Sequence, residues 1–171
     1  MERQSEEKIK HINEFMSAFS KETDRGSAIL GAAVLDEKLR EILSHTLKDC
    51  KQAKSLLREG GAISSFSARL DLAISLGLID NKEYETCNVV RKIRNKFAHE
   101  FDHDLSFTNQ SVKDHCNNFA IEMDGLDKLG VHKENPRVKF IVVIAFLCVR
   151  WLERETTVQK IPTTRLFNSS T

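Results

Sequence analysis

The sequence predicts an all-α fold, an irregular bundle of about six helices. Only two prolines and seven glycines punctuate its 171 residues. Apolar side chains recur three to four positions apart, and no alternating run reads as a sheet. One domain suffices at this length, placed at residues 1–160 with a flexible tail at 161–171. A core of that size closes without metal or disulfide.

Ile9, Ile12, Phe15, Met16 and Phe19 form the apolar stripe of a first helix that ends near Lys21. Thr23 or Asp24 caps a second helix running to about Leu47, with Ile29, Leu35, Leu39, Ile42 and Leu43 on its buried face. Gly26, Ala28, Gly31, Ala32 and Ala33 fill the first half of that helix. Side chains this small let a neighbouring helix approach closely, at a propensity cost for the glycines, and internal packing is the expected use. Residues 49–63 read as a connection with one turn of helix, closed by Gly60 and Gly61. Ser64 or Ser65 starts a helix through Leu76, which Gly77 stops in the left-handed conformation. Asp80, with Glu83 three residues later, has the spacing of a capping box and opens a helix through about Ala98. After a loop at 101–109, Val112, Cys116, Phe119, Met123 and Leu126 share one helical face. Asn135 and Pro136 cap and open the last helix. Its run Phe140 to Val149 reads as buried on nearly all sides, the central helix of the bundle.

Composition narrows the function classes. A formal net charge of +1 gives no general attraction to polyanions. Cys50, Cys87, Cys116 and Cys148 are isolated, without the C-x-x-C pairs of a zinc ribbon or redox motif, so reduced thiols in a cytoplasmic protein are expected. Met1 to Glu7 lack the apolar core of a signal peptide, and Phe140 to Val149 is too short to span a bilayer, so no membrane role is expected. Phosphate-loop, dinucleotide-fingerprint and nucleophile-elbow motifs are absent, and no cofactor is expected. His99, Asp102, His103, Asp104, His115 and Cys116 carry ligand-type side chains, but an acidic, histidine-bearing loop is more often simply solvated, and no metal is expected.

The helix from Asn81 turns by about 100° per residue, which sets Cys87, Val90, Ile93 and Phe97 on one side. Asn88, Arg91, Asn95 and His99 fall on the opposite side, with Arg94 on the flank, and these five are the candidate partner-binding residues. Arg94, Asn95 and His99, an Arg-Asn pair with a histidine five positions after the arginine, resemble the Arg-x4-6-His signature of the HEPN superfamily, helical domains that include RNA-cleaving toxins. That resemblance implies metal-independent attack of an RNA 2′-hydroxyl on the adjacent phosphate. His99 is then general base or acid, Arg94 holds the phosphate and its developing charge, and Asn95 orients the phosphate or the histidine. It also implies a homodimer in which two copies of the helix meet.

A longer block points to a regulator. SARLDLAISLGLIDNKEYE from Ser67, then VVRKIRN from Val89, then His99 and an acidic loop leading to Leu105-Ser106-Phe107-Thr108, is similar to the mannitol operon repressor family over roughly residues 25–120. The resemblance implies a bacterial transcription regulator, a helical bundle without a recognised DNA-binding motif, acting through a protein partner. The best helix-turn-helix candidate runs from Arg69 through the turn at Leu78 to Asp80 and on from Asn81. Its second helix would present Asp80, Glu83 and Glu85 to phosphates, so direct reading of DNA is not expected. Arg91, Lys92, Arg94 and Lys96 spread around their helix and form no single stripe for RNA.

Three functions stand open: transcription regulation through protein contacts, a HEPN-type ribonuclease using Arg94, Asn95 and His99, and a noncatalytic partner-binding adaptor. The plain structural role of the same residues is an arginine paired to a carboxylate and a histidine capping a last-turn carbonyl.

Overall fold

Side-chain caps and glycine turns set the helix limits in the computed structural model, which describes residues 17–19, 21–100, 104–121 and 135–162. The helices are α1 (Asp24–Thr46), α2 (Lys51–Leu57), α3 (Phe66–Ser75), α4 (Asn81–His99), α5 (Gln110–Asn117) and α6 (Pro136–Thr157), and no strand occurs among the described residues. The Thr23 hydroxyl accepts from the Gly26 N–H, and the Ser65 hydroxyl from that of Ala68. Asp80 and Glu83 form the reciprocal capping box, and the Asn135 side chain accepts from the N–H groups of Arg137 and Val138. Each cap satisfies donors that the first helical turn leaves open. At the end of α3 the Leu78 N–H reaches the Ala73 carbonyl and the Gly77 N–H that of Ile74, with Gly77 at φ +68°. This is the Schellman ending that the glycine predicts.

The centre of the bundle is α1, not the last helix as the apolar run suggests: α2, α3, α4 and α6 all pack on it. Its buried face comprises Ala28, Gly31, Ala32, Leu35, Leu39, Ile42 and Leu43. The small residues pack internally. A Cβ at Gly31 would lie 3.0 Å from both Phe140 and Phe19, so two aromatic rings occupy the space a side chain would need. Ile29 departs from expectation, being 43% exposed, because the buried stripe passes one residue to its side at Ala28. In α6 only the face towards α1 and α5 is covered, by Phe140, Val143, Ile144, Leu147, Cys148 and Trp151. Phe146 and Val149 point outward, 37% and 43% exposed, so this helix is not buried all round.

Residues 51–57 form seven residues of helix where about one turn was expected; Leu57 alone of them is buried, which leaves no apolar period to read. The helix from Gln110 stops at Asn117, with Phe119 beyond its end. There the Ile121 N–H turns inward to the Thr86 hydroxyl at 3.3 Å. Met123 and Leu126 lie outside the described residues, as do Ile9 to Met16 of the first expected helix; residues 17–19 are helical. The tail assignment falls largely outside them too, but the Ile161 N–H donates to the Thr46 carbonyl at 2.8 Å, tying the start of that segment to the end of α1.

Candidate functional site

Cys87, Val90, Ile93 and Phe97 are fully buried, which turns the opposite side of α4 outward. Asn95 and His99 are exposed there, while Asn88 and Arg91 are half-buried, and Arg91 Nη1 donates to Asn88 Oδ1 at 2.7 Å. The polar stripe read from the sequence is therefore a surface of the molecule. Arg94 stands apart from it: half-buried, it lines a groove between α1, α3 and α4. Five positions along a helix amount to about 140° of net rotation, so Arg94 and His99 leave α4 in different directions.

The groove has a volume of about 320 Å³ and is lined by Ile29, Ala32, Ala33, Asp36, Phe66, Arg94 and Ala98. Asp36 accepts from Arg69 Nη1 at 2.5 Å. Arg69 is buried on α3, so Asp36 is neutralised from behind. Arg94 makes no hydrogen bond or ion pair among the described residues.

Arg25, a residue that sequence reasoning missed, caps the end of α4. It donates to the Phe97 carbonyl and, at 2.9 Å, to that of Glu100. This is the task that the structural reading assigned to His99, whose ring stays exposed. The contact spans 72 residues, beyond any local pattern. One signal was present: a cation in the first turn of α1 faces the positive end of that helix's dipole, so a tertiary partner must compensate.

At the other end of α4, Glu83 is fully buried, contrary to the expectation that it faces outward. Its Oε2 accepts from the Asp80 N–H at 2.9 Å and from Arg154 Nη1 at 2.8 Å. Arg150 Nε lies 3.3 Å from Oε1 and its Nη2 3.5 Å from Asp80. Two arginines of α6 thus hold the inner, Glu83 side of this helix start. Asp80 and Glu85 are exposed, as expected.

The loop after α4 is structural where it is described. Phe107 lies between Phe97 and Phe140, with ring centroids 5.2 Å from each, and its N–H donates to Asp24 Oδ2 at 2.8 Å. Asp102 and His103 lie outside the described residues, among which no three His, Cys, Asp or Glu side chains gather as a metal site. All four cysteines are free thiols. Burial pushes Cys116 up to about 12 and Cys148 up to about 11, and holds Cys87 well above the usual thiol range. No helix among the described residues is long and apolar enough to cross a membrane.

The family model described as mannitol repressor matches residues 13–144. No curated protein matches. Among solved structures, the chain is similar to a chain of the MtlR–HPr complex from Escherichia coli, with a TM-score of 0.65 and 17% identity over 82% of this chain and 97% of that one. At that identity the likeness concerns the fold.

Proposed function

The chain belongs to the mannitol repressor family, and from that premise we propose that it regulates transcription of a carbohydrate operon in the bacterial cytoplasm by contact with another protein. The observation that supports the protein-contact part is the acidic start of α4: Asp80 and Glu85 are exposed there, where a recognition helix would meet DNA phosphates. The outer stripe of Asn88, Arg91, Asn95 and His99 is the surface left to a partner, with Arg94 on its flank. HPr, which is joined to MtlR in the Escherichia coli complex, is the first partner to test.

Calorimetric titration of the full chain with HPr of the same host should give saturable binding. The double variant Asn95→Ala, His99→Ala should weaken it at least about tenfold, a loss of about 1.4 kcal/mol, with an unchanged circular dichroism spectrum. Binding that ignores these substitutions removes the stripe from the interface, and no heat with HPr removes that partner. The exposure of Asn95 and His99 on one face also keeps the ribonuclease reading open to test. Metal-free cleavage of RNA to cyclic phosphate ends, lost in folded His99→Ala, would put catalysis in place of regulation.

A further inference from the structure

The groove between α1, α3 and α4 combines two properties that the polar stripe lacks. Its walls are hydrocarbon, from Ile29, Ala32, Ala33, Phe66 and Ala98, and its volume of about 320 Å³ falls in the size range of small-ligand pockets. It also holds Arg94, a cation with no hydrogen bond or ion pair among the described residues. The other charged residue of the lining, Asp36, is bound to buried Arg69 at 2.5 Å, which leaves Arg94 to set the sign of the lining. A half-buried arginine beside apolar walls, lacking a counter-ion of its own, favours an anion that brings hydrocarbon with it.

We propose that this groove is a binding site for a small carboxylate with an apolar body, the guanidinium of Arg94 taking the carboxylate and the walls of Ile29, Phe66 and the three alanines taking the hydrocarbon. A carboxylate matches the planar fork of guanidinium N–H groups with two parallel bonds, which a neutral amide cannot do. The apolar walls discriminate against small hydrated anions. Asp36 stays silent towards the ligand because its charge is already compensated from α3. This site does not depend on the regulatory reading; it stands on groove shape and charge alone.

The test uses the full chain carrying ¹³C-methyl isoleucine and alanine, titrated with hexanoate and hydrocinnamate, then with the two corresponding amides and hexylammonium. Both carboxylates should shift the methyl signals of Ile29, Ala32, Ala33 and Ala98 saturably, with dissociation constants on the order of millimolar. The amides should bind at least about fivefold more weakly, and hexylammonium should not bind. Arg94→Gln should abolish the preference for the carboxylates over the amides, Arg94→Lys should keep part of it, and Lys92→Ala, an exposed cation of the same helix outside the groove, should leave it intact. Ala33→Leu fills the groove from an exposed position of α1 and should block all binding without disturbing the core. Amides that bind as well as carboxylates, an Arg94→Gln protein that keeps the preference, or no shift at about 20 mM probe would each overturn the proposal.

Discussion

Glu83 joins two jobs that local sequence shows only in part. Its backbone and side chain close the capping box with Asp80, while its buried carboxylate ties α4 to Arg150 and Arg154 of α6. Glu83→Gln keeps the shape but leaves two arginines without their buried counter-charge, and should destabilise the fold by about 3 kcal/mol in urea unfolding. Glu85→Gln, on an exposed position two residues on, should change it by less than about 0.5 kcal/mol. The buried thiols give a pH dependence whose sign follows from their direction of shift. Their folded pKa values lie above the ordinary value of 9.0, so their contribution is complete below about pH 9 and is lost as pH rises towards about 11 for Cys148 and about 12 for Cys116. Thermal unfolding scans should show this alkaline loss, and Cys116→Ala should reduce it. An uncharged maleimide should label Cys50, the half-buried thiol, well before the other three.

Element boundaries rest on a few backbone positions. Gly77 holds φ +68°, with nothing near its missing Cβ, so Gly77→Ala should cost about 1 kcal/mol through backbone strain alone. Gly31 is the opposite case. Its backbone is ordinary helix, but Phe140 and Phe19 stand 3.0 Å from a Cβ, so Gly31→Val should cost about 2 kcal/mol by overpacking. Comparing the two variants in denaturant separates conformational from steric need for glycine. The end of α4 depends on Arg25, and Arg25→Ala should speed amide exchange in the last turn, around Phe97 to Glu100, while the amide of Ile93 stays protected. Equal exchange in both proteins would show that the turn holds without the arginine.

Across the whole molecule, charge argues against direct operator recognition. The chain is nearly neutral, and the candidate recognition helix carries exposed Asp80 and Glu85 at its start. Fluorescence anisotropy with duplex operator DNA at physiological salt should give only non-specific binding, weaker than about 10⁻⁶ M; tight, sequence-dependent binding would contradict this. Much of the molecule was legible beforehand because its signals are local. Thr23, Ser65, Asp80 with Glu83, and Asn135 sit at helix starts, Gly77 at a helix end, and Cys87, Val90, Ile93 and Phe97 recur at the helical period. Those features depend on dihedral preference and on hydrogen bonds a few residues long, which neighbours in sequence determine. The sequence by itself therefore settled the helical class, most helix limits, the polar stripe of α4 and the likeness to a regulator family. Tertiary structure alone decided that α1 rather than α6 is the centre, that Phe107 fills the core and that Glu83 is buried. It also decided that Arg25 rather than His99 ends α4, and that Arg94 belongs to a groove. The reason is physical: an apolar or charged side chain states what it needs, but which distant surface meets that need is settled only when the helices pack.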